Sequence, residues 1–332
     1  VAKKAGVSIS TVSLVISDHP RISTPTKNKV LKTIKELNYH PSRSAKGLVT
    51  KTTRNIGFIL TDNHFLKTEP FYTNIFLGTE FVTRGSDYYV LLATINTNFS
   101  EEDSLPRFLL ERSVDGVIIA GKVPFLFLEK LSKCKIPKVF DDYYPPSGDN
   151  NVVLIDNIRG SFYATQHLID YGHKEIAFIG GDITHHSISD RLAGYKRALE
   201  RNSITINSNN IITDEDYPAR QNGYNAAQKL LTINSNIKAI FTCNDAMAIG
   251  VMQYCVDNGI KIPDDISLIG FDDVETDLLL NPPLTTIRVP KVEMGNEAMK
   301  LMVNMLKEKS VASVKKILVP VELIIRNSTK KI

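Results

Sequence analysis

The spacing of apolar positions changes at about residue 56. Before that point they fall three and four apart, and after it short apolar runs alternate with helical patterns. In the opening stretch Val1, Ala2 and Ala5 read as the end of a helix, and Gly6 supplies a turn. Ser8 is placed to cap a second helix running to about Ile16. At about 100° per residue, Ser8, Thr11, Val12 and Val15 share one face of that helix, and Ile9, Ser10, Ser13 and Leu14 share the other. The second set is poorly placed for a core. A third helix is expected after Ser23, with Pro25 tolerated in its first turn and Val30, Leu31, Ile34 and Leu37 as an inward stripe ending near Asn38. Pro41 then breaks the chain, and Ser42 can cap a helix of only about eight residues, which in water is marginal on its own.

From Ile56 the runs IGFIL, YYVLLATI, DGVIIAG, KVF and NVVLI, then EIAFIGG, NIIT, AIFTC and ISLIGF, have the rhythm of βα units building parallel sheets. Two sets of about five strands imply two doubly wound subdomains, with a break near Ile158 to Ser161. Several strands end in polar residues: Asp62 and Asn63, Asp141 and Asp142, Asn244 and Asp245, Asp272 and Asp273. Ligands of open parallel sheets bind beyond such strand ends, so two facing sheets would line a cleft with them.

Charge sharpens the division. Residues 1–55 carry eleven Lys or Arg against Asp18 and Glu36, a net +9, whereas the remainder carries 29 against 34, a net −5. A basic N-terminal module is the electrostatic footprint of a nucleic-acid binder. The 42% apolar content is that of a globular chain, and no window has the length of a membrane span. With no apolar signal core at the start, the cytoplasm is the expected location. Cys134, Cys243 and Cys255 have no paired spacing and read as buried free thiols. There is no Gly-x-Ser-x-Gly elbow or Walker-type loop, and FIGGD lacks the third glycine of a dinucleotide fingerprint, so neither an enzyme nor a cofactor is expected. His185-His186 has no evident third ligand for a metal.

VAKKAGVSISTVSLVI, NYHPSRSAKGL, NDAMAIG and LIGFDD, in this order, resemble the LacI/GalR family of bacterial transcription regulators over nearly the whole chain. The resemblance implies an α/β protein: a helix-turn-helix domain over 1–41, and a hinge helix and linker over 42–53. Two core subdomains of periplasmic-binding-protein type would follow, 54–158 plus about 288–316 and 159–287 plus about 317–328. It places Ile9, Ser10 and Leu14 near base edges in the major groove and Ser8, Thr11 and Ser13 near phosphates or bases. Asn38, Tyr39 and Arg43 would add DNA contacts, and Leu48, beside Ala45, would wedge into the minor groove. Relative to the family the chain starts late, so it is expected to be incomplete at its N-terminus. Leu14 stands where an arginine reading guanine is usual, and it offers only apolar surface.

For the cleft, the resemblance implies Asp272 and Arg191 as main polar contacts of a small effector, Asn244 as an amide contact and Asp142 at the mouth. It adds Tyr217, Phe71 and Tyr72 as aromatic walls, with Ser187 nearby. Read from the residues alone, the alternatives are that Asp272 and Arg191 form a structural ion pair and that Tyr217 packs in a surface loop. Asn244 and Asp245 could cap a helix, the favoured reading for Asp245. Function is therefore expected to be that of a repressor binding a pseudo-palindromic operator as a dimer, switched by a small molecule such as a sugar. The rivals are control by a protein corepressor and, from a different class, a sugar-binding transport protein. Only six residues follow Arg326, too few for an added heptad helix, so a dimer is expected rather than a tetramer.

Overall fold

The computed structural model describes residues 1–16, 18–39, 52–66, 70–146, 148–308 and 313–332. Its chain divides into two compact units, Val1–Arg54 and Asn55–Ile332.

In the first unit α1 (Ala2–Ala5), α2 (Ile9–Ile16) and α3 (Thr24–Glu36) surround a small core of Ala5, Val12, Val15 and Val30. Gly6 takes the left-handed conformation, φ 62°, that ends α1 and lets the chain turn. Ser8 then caps α2, its hydroxyl accepting from the Thr11 N–H at 3.0 Å. The expected stripe of α3 holds only in part: Val30 and Ile34 pack inward, but Leu31 and Leu37 are exposed. Leu31 lies about 100° around the helix from Val30, and Leu37 is the C-cap at the end of α3, beyond the residues that form the small core. Thr33 takes the remaining buried place, its hydroxyl donating to the Lys29 carbonyl.

In the second unit, β1 (Asn55–Thr61), α4 (Asp62–Leu66), α5 (Phe71–Thr83), β2 (Tyr89–Ile95), α6 (Arg107–Leu110), β3 (Gly116–Ala120), α7 (Phe125–Ser132), β4 (Lys138–Asp141) and β5 (Asn151–Ile155) build one half. The other half holds α8 (Asn157–Asp170), β6 (Ile176–Gly181), α9 (His186–Arg201), β7 (Ile211–Glu215), α10 (Arg220–Ile233), β8 (Ala239–Thr242), α11 (Asp245–Asp257) and β9 (Ser267–Ile269). β10 (Thr286–Arg288), α12 (Lys291–Lys307), β11 (Lys316–Val319) and β12 (Glu322–Ile324) complete the chain. The sheets are not two sets of five. One has six parallel strands in the order β11-β5-β4-β3-β1-β2, and the other has four in the order β7-β6-β8-β9.

Burial on both faces explains why the strands read as continuous apolar runs. Along β1, Ile56, Phe58 and Leu60 enter one core cluster and Ile59 the other, on the opposite face. The crossings back refine the expected boundaries. β11 pairs with β5, so the return to the second half falls after Val319 rather than at about 316. β12 then pairs antiparallel with β10, and the tail stays on the second half beyond 328, to Ile332, whose N–H bonds the Tyr171 carbonyl. Cys243 and Cys255 are buried thiols as expected, but Cys134 is only half-buried.

α12 returns to the first half and lies against α5 through two facing glycines. A Cβ at Gly295 would sit 1.9 Å from the Ile75 carbonyl oxygen, and one at Gly78 would sit 2.1 Å from that of Val292. Both obstacles are backbone, so neither helix can yield locally. Gly295→Ala should therefore destabilise the second unit by roughly 1–3 kcal/mol or more through forced helix separation, read as a lower urea midpoint; an unchanged midpoint would contradict the close helix contact.

Candidate functional site

Two surfaces concentrate the residues singled out in the sequence, one in each unit. On α2, burial of Val12 and Val15 turns the opposite face outward: Ile9 is 81% exposed, and Ser10 and Ser13 are exposed beside it. Leu14 is half-buried rather than fully outward, and so is Thr11. The Ser8 hydroxyl caps the helix and also lies 2.9 Å from the Thr11 hydroxyl, so these two side chains shape the start of α2. Asn38 and Tyr39 are exposed after α3. Arg43, Ala45 and Leu48 lie outside the described residues.

In the second unit, strand ends from both sheets converge on a cavity of about 460 Å³. Each sheet reverses its strand order at the strand next to one edge, β1 beside β2 in one and β6 beside β7 in the other, and the cavity lies where such switch points favour ligands. Phe71 and Tyr72 enter it from the start of α5, and Asp142 from the end of β4. The second sheet contributes Ser187 and Arg191 from α9, Tyr217 after β7, Asn244 after β8 and Asp272 after β9. All eight cleft residues expected from the sequence thus line one cavity.

Arg191 is the buried cation of this cavity, 5% exposed. Its Nε donates to the Asn157 side-chain oxygen at 2.8 Å, Nη1 donates to the Cys243 carbonyl, and the guanidinium lies 3.7 Å over the Phe271 ring. Nη1 also stands 3.6 Å from Asp272, an ion pair without a hydrogen bond. Asp142 accepts from the Tyr72 hydroxyl at 2.9 Å. Burial pushes Asp142 up to about 6 and Asp272 up to about 7, with Arg191 opposing both shifts. Both residues hold positive φ, 55° and 128°, conformations that L-residues avoid and that the surrounding hydrogen bonds must fix.

The neighbouring strand-end residues serve the fold instead. Asp62 closes a turn by accepting from Thr97 and Asn63, and Asp273 is clamped between Arg288 and Arg326. Asn244 rather than Asp245 caps α11, accepting from the Met247 N–H, and its amide also donates to the Pro218 carbonyl. Asp245 is fully buried, accepting from the Thr286 hydroxyl at 2.7 Å. Sequence reasoning missed His64, stacked 4.5 Å from Tyr72, and Lys122, which reaches across the cleft to Thr184 at 2.9 Å and Asp182 at 3.4 Å. Lys122 carried a signal, since it follows β3 as Asp142 follows β4. His64 carried the same signal, since it directly follows the strand-end residues Asp62 and Asn63. His185 lines the cavity and stacks on His186, and no group of three potential metal ligands occurs among the described residues.

A helix-turn-helix unit with an outward second helix, joined to a two-sheet core around a strand-end cavity, defines a DNA-binding, ligand-binding regulator. Residues 1–42 match bacterial regulatory proteins of the lacI family, and residues 165–329 match a periplasmic binding protein-like domain. The chain is 32% identical to the HTH-type transcriptional repressor PurR of Vibrio campbellii, over 100% of this chain and 98% of that one. It is 33% identical to catabolite control protein A of Priestia megaterium, over 99% and 98%. Among solved structures it resembles a lac repressor dimer bound to operator and an anti-inducer, with TM-score 0.80, 25% identity and coverage of 99% and 97%. It also resembles the complex of the transcriptional regulator CelR with cellobiose, with TM-score 0.76, 27% identity and 98% of each chain covered. The chain belongs to the LacI family of DNA-binding transcription regulators.

One carboxyl beside the cavity is out of place energetically. Asp141 is fully buried, neither of its oxygens has a hydrogen-bond partner, and burial followed by the Asp142 charge holds its pKa well above 3.8. Folding thus tightens its hold on the proton, so its contribution to stability is present below the unfolded value and is lost as pH rises through the folded one. Asp141→Asn should stabilise the chain by roughly 1–3 kcal/mol at pH 7.5, with the gain shrinking towards pH 5. Thermal melts across that range test it; a gain that grows on acidification reverses the sign and defeats the assignment.

Proposed function

We propose that this regulator is a repressor that binds a pseudo-palindromic operator as a dimer, each copy laying α2 in a major-groove half-site. We further propose that a small molecule in the cleft, a sugar, switches it. The observation that carries the DNA reading is the outward face of α2, where Ile9 lies 81% exposed in a small basic unit that has already filled its core. Hydroxyls at Ser10 and Ser13 suit phosphates or base edges, and Ile9 suits thymine methyl groups. Relatives named as repressors, and a lac repressor dimer seated on operator, support the same reading. The cavity favours a small molecule over a protein corepressor, because eight residues of the right chemistry line a concave cleft rather than a flat surface. The cellobiose-bound CelR and a ribose-bound LacI-family regulator support a sugar. On this reading the chain works in the cytoplasm as a non-enzyme and requires no cofactor.

A dimer also accounts for exposed apolar residues on the first half of the core. Leu77 and Phe81, one turn apart on α5, are 37% and 41% exposed, and Leu92 on the edge strand β2 is 40% exposed. Burying such a face against a second copy would remove this apolar surface from water.

Operator affinity of the full chain should fall steeply with salt, as counterions return to the phosphates; affinity indifferent to salt would sink the DNA reading. Operators selected from random sequence should lack a guanine preference at the base pair facing Leu14, and Leu14→Arg should create one worth about 1–3 kcal/mol. A strong guanine preference with Leu14 intact would refute that assignment. Phe81→Glu should shift the sedimentation of the chain towards monomer and weaken operator binding; an unaltered dimer would place the interface elsewhere.

A further inference from the structure

We propose that Lys291 is a positioning residue of the cleft: its ammonium, set behind the wall, holds the turn that presents Asp272 and ties that turn to the first half of the core. The hold on the turn stands whatever the cleft binds, and its use in a switch rests on the reading of the cleft as an effector site.

Lys291 sits where a lysine is costly on two counts. It is the first residue of α12, where the helix dipole disfavours a cation, and it is only 8% exposed. A buried ammonium is tolerated when its protons find acceptors, and here they do. Nζ donates to the Asp272 carbonyl, and to the Asp273 and Val289 carbonyls at 3.3 Å each. An ammonium has three protons, so these main-chain oxygens use it fully and leave nothing to offer a ligand. Lys291 is also not among the described residues that line the cavity. It therefore acts through the backbone it holds, not by touching what the cleft contains.

That backbone is strained. Asp272 and Asp273 stand at φ 128° and 55°, consecutive residues in a region that L side chains avoid. Their two carbonyls converge on Nζ, so the cation offsets the strain where it arises. Main-chain bonds close the same turn, from the Asp272 N–H to the Ile287 carbonyl and from the Val289 N–H to the Asp272 carbonyl.

On its other side the ammonium meets the first half. Nζ lies 5.6 Å from the centre of the Phe71 ring, within reach of a cation–π attraction, and Phe71 lines the cavity at the start of α5. The close contacts at Gly78 and Gly295 lock α5 to α12, so Phe71 and Lys291 belong to one block. Rocking of that block against the second half must either carry the 272–273 turn with it or pull the ammonium off its carbonyls. The angle of the wall and the aim of Asp272 thus move together. Arginine is no substitute, since a planar guanidinium cannot point three protons at three converging oxygens.

Hydrogen exchange of the full chain, read by mass spectrometry, tests the assignment. Lys291→Met keeps the length of the side chain and removes its charge, and should speed exchange in segments 271–274 and 287–292 by about tenfold or more. Exchange in β3, remote from the turn, should keep its original rate. Lys291→Ala should behave likewise, and added propylammonium should restore its protection where propanol, of similar shape without the charge, does not. Unchanged exchange in Lys291→Met overturns the proposal. So do acceleration that extends equally to β3 and failure of propylammonium to outperform propanol, because each reduces the residue to packing. Operator affinity with and without glucose, ribose, cellobiose or maltose then reads the switch: a sugar response of the original chain should shrink about tenfold in Lys291→Met. A response of undiminished size overturns the coupling through Lys291. If no sugar alters the operator affinity of the original chain, the sugar reading of the cleft falls, while the exchange rates still decide whether Lys291 holds the turn.

Discussion

The cleft is organised around one buried guanidinium. Arg191 reaches from α9 to the start of α8 through Asn157, to the end of β8 through the Cys243 carbonyl, and to the end of β9 through Asp272 and Phe271. A cation buried to this degree is tolerated only because acceptors and a ring face meet it on several sides. It fixes the separation of three elements of the second half at one point, and its charge opposes the burial that would otherwise neutralise both Asp142 and Asp272. The chemistry of the site and the packing of that half therefore share one residue, and a change that freed the guanidinium would disturb both.

The strained aspartates are held by residues remote in sequence. Asp272 donates its N–H to the Ile287 carbonyl, and its own carbonyl accepts from Lys291 at the start of α12. Next to it, Asp273 is gripped by Arg326 near the end of the chain. Lys291 opens the segment that crosses to the first half, and Arg326 follows the segment that crosses back. The backbone that presents Asp272 is thus tied to the same connections that join the halves, so the angle between the walls and the aim of this carboxyl are set together.

Much of this architecture was legible in the sequence because burial leaves a simple trace. Strands covered on both faces read as unbroken apolar runs, and a capped helix after a glycine turn reads from Gly6 and Ser8. The eight cleft residues were legible through resemblance and strand-end position, and the structure brings them to one cavity. What escaped were matters of partner choice. Whether Asn244 or Asp245 caps α11 depends on which side chain the chain end turns towards Met247, and no spacing rule distinguishes adjacent residues. Leu31 and Leu37 were read into a helical stripe, yet one lies around the helix from Val30 and the other at its C-terminal end, away from the core residues. β11 and β12 are separated by only Pro320 and Val321, and hydrophobic pattern alone cannot say that two neighbouring runs join different sheets.

Coupling between ligand and DNA, on the proposed reading, has to pass through the first half of the core, because β1 begins at Asn55 where the first unit ends. At its other end β1 reaches Thr61 on the cavity wall. A strand buried along nearly its whole length and paired on both sides cannot bend to absorb a displacement at one end, so it moves as part of its sheet. A ligand that draws the walls together through Asp142 on one side and Asp272 on the other would act on the sheet as a body, not on β1 alone. Lys122 already spans the same gap to Asp182 and Thr184, so the ligand has a bridge to reinforce or to replace. Which of these it does sets the sign of the switch, because only the difference in its affinity for two wall arrangements can appear at the DNA, and that difference is felt equally in the other direction.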